Sequence, residues 1–94
     1  MKQYRTRPGV VLTEIAGQYL LVSARAVRKL CPYTMRINET AAFCWRILEQ
    51  GSDLDALARA LAAEYEVGDP AELHADLEQL LAQLLENNYL IEEP

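Results

Sequence analysis

Cys31, Cys44 and His74 are the side chains with the widest chemical reach in this 94-residue sequence. A thiol beside an imidazole can act as a nucleophile, and the two types together can hold a metal. The spacing supports neither use. A metal site needs about four ligands, and one His with two Cys and no CxxC falls short of that. A Cys44–His74 pair has no identifiable orienting residue or oxyanion donors. Cys44 also falls on the inward face of a predicted helix, where a buried thiol is inert. Glycines 9, 17, 51 and 68 stand singly at turns or helix ends, not in a phosphate-cradling loop. The many carboxylates fall on solvated helix faces, where they serve solubility. The expectation is a binding protein and not an enzyme, with no metal and no cofactor.

The elements that would position a binding site can be read from the apolar periodicity. Val10 to Ile15 and Tyr19 to Ser23 are two aliphatic runs separated by Ala16-Gly17-Gln18, which predicts a β-hairpin. The stretch Arg25 to Cys31 is basic and is followed by Pro32, so it reads as a connection. From Tyr33 to Ile37 the residues Tyr33, Met35 and Ile37 alternate with Thr34 and Arg36, the pattern of a short half-buried strand. Asn38 can end that strand and cap a helix in one residue, because an N-cap keeps an extended backbone.

The first helix is expected from Glu39 to about Gln50, burying Ala41, Cys44, Trp45 and Leu48 and stopping at Gly51. A second, capped by Ser52, carries the stripe Leu54, Leu57, Ala58, Leu61, Ala62 and Tyr65 and is closed by Gly68. Asp69-Pro70-Ala71-Glu72 opens a third, with Leu73, Leu77, Leu80 and Leu84 on its core stripe. Leu81 and Leu85 widen the apolar arc of that helix beyond the ~100° that one core requires. The surplus packs on the hairpin or a dimer mate, or it lines a ligand groove. The fold class is therefore α+β, a three-stranded antiparallel sheet followed by three helices, winged-helix-like, in a single domain over residues 1–94.

Met1 to Arg36 holds seven Lys/Arg and one acid, and the remainder holds two Arg and thirteen acids, which together give the net charge of −5. The second and third helices contain Arg59 as their sole Lys or Arg, so a winged-helix DNA-binding role would set acidic helices against phosphate. No apolar run is long enough to span a bilayer and no signal peptide is recognised, so the expectations are a cytoplasmic location and no membrane partner. The two cysteines should then be reduced thiols.

The segments LTEIAGQYLLV, MRINETAAFCWRIL and LLENNYLIEE, in that order, resemble the PqqD family. That family is named for a small protein of pyrroloquinoline quinone biosynthesis, and its members are similar to domains that recognise precursors of ribosomally made, modified peptides. The resemblance implies a peptide chaperone. The leader segment of a precursor would add as a strand to Tyr33, Thr34, Met35, Arg36 and Ile37 and lie against His74, Leu77, Leu81 and Leu85 of the third helix. The implied partners are that precursor peptide and a modifying enzyme, such as a radical S-adenosylmethionine enzyme, with no nucleic acid and with the chain as a monomer or homodimer. Two other readings stay open at this point, a winged-helix DNA-binding regulator and a plain dimerisation domain.

Overall fold

A computed structural model describes residues 2–31 and 34–94. Along them run β1 (Gln3–Thr6), β2 (Val10–Ile15), β3 (Gln18–Ser23), a short 3-10 turn (Arg25–Val27), β4 (Met35–Ile37), α1 (Glu39–Leu48), α2 (Leu54–Glu64), α3 (Pro70–Glu86) and β5 (Leu90–Glu93). The fold is α+β, with β2, β3 and β4 in one antiparallel sheet and β1 paired with β5 in a second.

The hairpin forms where the alternation places it. Ile15 faces Gln18 across Ala16 and Gly17, whose φ values of 51° and 78° are the two left-handed residues that a tight two-residue hairpin requires. Gly17 adopts this without cost, whereas Ala16 pays about 1 kcal/mol for its Cβ.

Each helix begins on a side-chain cap. Asn38 accepts from Ala41 N at 2.8 Å, Asp53 from Ala56 N at 2.8 Å and Asp69 from Ala71 N at 3.0 Å, each satisfying an amide of the first turn. Asp53, not Ser52, caps α2. Ser52 is buried and exchanges backbone hydrogen bonds with Tyr4, which ties β1 to the turn between α1 and α2. Gly51 leaves α1 at φ 87°, as expected of a helix stop. Gly68 does not close α2, which ends at Glu64 with Tyr65 already extended.

The end of α3 departs most from the sequence reading. Tyr89 N donates to Leu84 O at 2.9 Å and Asn88 N to Leu85 O at 3.0 Å, with Asn88 at φ 65°. This is a Schellman stop with Asn in the left-handed position. The chain then turns back as β5, where Lys2–Glu92 (3.1 Å) and Arg5–Glu93 (2.8 Å) bridge the basic start to the acidic end. These exposed pairs contribute little to stability. Arg7 Nε donates to Asn88 O at 2.6 Å, and Asn88 Nδ2 donates to Leu30 O at 3.0 Å, so one residue joins three segments.

The core lies between the inner face of the larger sheet and the helices. Leu21, Trp45, Leu48 and Leu57 are fully buried there, with Leu77, Leu81, Leu84, Tyr89 and Leu90 beside them. No helix among the described residues is long and apolar enough to cross a membrane.

Candidate peptide-binding edge and groove

The hairpin turn determines which backbone groups of β4 are open. In a two-residue hairpin the residues flanking the turn, Ile15 and Gln18, hydrogen-bond to each other, and bonded pairs then alternate along the ladder. Ala24 N donating to Gly9 O at 2.7 Å continues this phase beyond the strands. Gln18, Leu20 and Val22 therefore direct N–H and C=O toward β2, while Tyr19 and Leu21 direct theirs toward β4, opposite Ile37 and Met35. Arg36, between those two, turns its own N–H and C=O away from β3. Among the described residues β4 is an edge strand, so these groups face the open side.

Side chains alternate with the backbone. Met35 and Ile37 are half-buried against the core, whereas Thr34 and Arg36 are exposed. The strand is shorter than the alternation suggested, Met35–Ile37, with Thr34 just outside it. Tyr33 lies outside the described residues.

Beyond β4 the chain enters α1 through Asn38, whose Oδ1 accepts from Ala41 N and also from Thr40 Oγ1 at 3.0 Å. Strand and helix share this one extended residue, with φ −85° and ψ 177°, so no loop separates the open edge from α1. Asn38, Thr40 and Ala41 then form one wall of a groove of about 500 Å³, closed by the end of α2 and by Leu73, Asp76, Leu77 and Leu80 of α3. Tyr65 stands at its side, edge-on to Phe43 with ring centroids 5.5 Å apart.

The groove thus uses a different face of α3 from the one expected. Leu77 contributes to it, but Leu81 is 3% exposed and belongs to the core, and Leu85 is half-buried against that core. The surplus apolar arc packs on the core cluster, which also holds Tyr89 and, at the start of β5, Leu90. His74 is likewise turned away. Its Nε2 lies 3.7 Å from Asp55 Oδ1 on α2, and it lines a separate shallow hollow with Arg59 and Pro70. Of the groove residues only Leu77 was among those the sequence reading placed at the site; Leu73, Asp76, Gln79 and Leu80 of α3 and the walls from α1 and the end of α2 were not. Leu73 and Leu80 were visible there as members of the core stripe.

Both thiols are buried, at 1% exposure each. Cys31 Sγ donates to Asn88 O at 3.0 Å. Burial pushes the Cys44 thiol up to about 11, so it is protonated beneath the groove at neutral pH. Ellman's reagent at neutral pH should therefore leave both thiols unmodified in the native protein and titrate two in denaturant. Native reaction of Cys44 at the rate of a free thiol would contradict this packing.

The family model of coenzyme PQQ synthesis protein D (PqqD) matches residues 24–90. Among solved structures, "Lasso peptide synthetase B1 complexed with the leader peptide" is similar to this chain with a TM-score of 0.72 and 25% identity, over 94% of this chain and 96% of that one. "TbiB1 in Complex with the TbiA(beta) Leader Peptide" has the same fold, with a TM-score of 0.72 and 22% identity, over 92% of this chain and 93% of that one. No curated protein sequence matches the chain. The family match begins after the hairpin and takes in β4, the three helices and the turn into β5, so the open edge and every wall of the groove lie within it, and the chain belongs to the PqqD family.

Proposed function

We propose that this protein binds the leader segment of a ribosomally made precursor peptide as an added strand on the open edge of β4, and presents it to a modifying enzyme. The observation that carries the reading is the outward-facing N–H and C=O of Arg36 on an edge strand that leads directly into the groove. An extended peptide bonded there gains affinity from its main chain and selectivity from side chains that enter the groove. The leader-peptide complexes formed by the two structural neighbours support the same use of this fold. The role is non-catalytic, in keeping with thiols that are buried. Two classes of modifying enzyme suit it, a radical S-adenosylmethionine enzyme and a peptide synthetase. DNA binding is disfavoured by α2 and α3, where Arg59 is the single Lys or Arg.

The test is Arg36→Pro. Proline removes the outward N–H and puts a ring where the peptide would approach, yet an edge position facing solvent tolerates it. Met35→Pro is a poor probe, because Met35 directs its N–H to β3. Arg36→Ala removes the side chain and keeps the donor. Leader peptides synthesised from short reading frames beside the gene, titrated by calorimetry, should lose at least about tenfold in affinity for Arg36→Pro. They should bind Arg36→Ala within a few fold of the parent. Equal affinity for Arg36→Pro and parent, with unchanged circular dichroism, would place the peptide elsewhere.

A further inference from the structure

We infer that the groove selects a paired feature in the peptide, an aliphatic or aromatic side chain with a Lys or Arg next to it. The inference rests on the peptide-binding reading above and adds to it the chemistry of the ligand. The floor is apolar, formed by Ala41, Leu61, Leu73, Leu77 and Leu80, and its volume of about 500 Å³ exceeds what a single small side chain fills. The rim is anionic. Glu66 and Asp76 line it with their side chains exposed, and no Lys, Arg or His is among the lining residues. A side chain that fills the floor therefore brings its neighbours to a mouth where a cation is attracted and a carboxylate repelled.

Arg36 gives the site a polarity. It lies exposed on β4, and the chain runs from it through Asn38 and Thr40 to the groove wall. A peptide along this edge meets at one end a guanidinium, which shares a shallow hollow with Glu14 and Glu39, and at the other end carboxylates with no cation among the lining residues. If it adds antiparallel to β4, its amino-terminal part lies on the groove, so a cation with its apolar neighbour should precede an acid in the sequence. If it adds parallel, that order reverses. The charge order that binds best thus reports the strand direction.

Fluorescein-labelled peptides of about ten residues, with a Thr/Val strand and one Leu, can carry Lys, Ser or Glu beside the Leu and Glu at the far end, in both orders. Anisotropy titration should rank Lys above Ser above Glu, with Lys and Glu separated by about tenfold at low salt and by less as salt rises. The Glu66→Gln/Asp76→Asn double variant should erase the ranking without changing the melting temperature. Equal binding of all peptides, a ranking that survives the double variant, or no measurable binding of any peptide overturns the inference. The underlying reading is judged separately by leader binding to Arg36→Pro. Sensitivity there with no charge ranking here removes the selectivity and leaves the edge, whereas insensitivity there removes both.

Discussion

Trp45→Ala is expected to leave the protein largely unfolded at physiological temperature. The indole is fully buried and sits in the cluster that joins α1 to Leu21 of the sheet and to Leu57 and Leu77 of the other helices. Truncating a buried Trp costs about 3–5 kcal/mol, against a total of about 5–15 kcal/mol for a domain, and a chain of this length has no second core to compensate. For a domain of this size each kcal/mol moves the midpoint by about 4–8 °C, so thermal melting should show a fall of at least about 12 °C. Trp45→Phe should be much milder. Trp45 Nε1 is buried and has no hydrogen-bond partner among the described residues, so replacing indole by phenyl removes volume without stranding a polar partner. An alanine variant that melts within a few degrees of the parent would mean that Trp45 does not anchor α1. The groove depends on this anchor, since Asn38, Thr40 and Ala41 at the start of α1 form its wall.

The larger sheet, the three helices and the passage from strand to helix at Asn38 were legible in the sequence because each has a local signal. The hairpin has its alternation and Gly17, and the helices have Asn38, Asp69 and their Leu stripes. The β1–β5 ribbon has no such signal. Its strands are four residues each, too short to show a period, and they pair the two ends of the chain, Gln3 with Glu93 and Thr6 with Leu90. The chain enters that ribbon through Tyr89 and Leu90, both buried in the core cluster that also holds Leu81. The apolar arc at Leu81 and Leu85 is as wide as the sequence indicates, but Leu81 is buried in the core and Leu85 packs against it, so the width reports a tertiary contact. The groove beside α1 is lined by Leu73 and Leu80, residues that periodicity assigns to the core, because whether a stripe residue is covered depends on where the neighbouring helices end. His74 lies beside Asp55 of α2 and outside this groove, a placement that only the α2–α3 crossing resolves. The edge residue Arg36 was identified from its type and place, but the direction of its backbone groups required the register.

Leu81 and Leu80, adjacent on α3, should separate fold from function when each is changed to Glu. Leu81 is 3% exposed within the core, so Leu81→Glu would bury a carboxylate without a partner. The variant should be unfolded, or nearly so, at neutral pH. A carboxyl held in that core has its pKa raised above the unfolded value of about 4.3, because burial disfavours the charged form. The folded state then binds more protons than the unfolded state, so stability relative to the parent falls as pH rises through that value and is partly regained on acidification toward it. Leu80 is half-buried and lines the groove. Its replacement can turn a carboxylate to the open mouth, so Leu80→Glu should fold, with a loss of about 1–2 kcal/mol for the apolar surface given up. It should nevertheless bind leader peptides at least about tenfold more weakly, since the apolar floor is interrupted by a charge that the entering side chain must desolvate. Urea denaturation of both variants near pH 4.5 and pH 7, with leader titration of whichever folds, checks the pair. A folded Leu81→Glu that has lost peptide binding, together with a Leu80→Glu that binds as the parent does, would return the site to the Leu81 face and exclude the groove between α1 and α3.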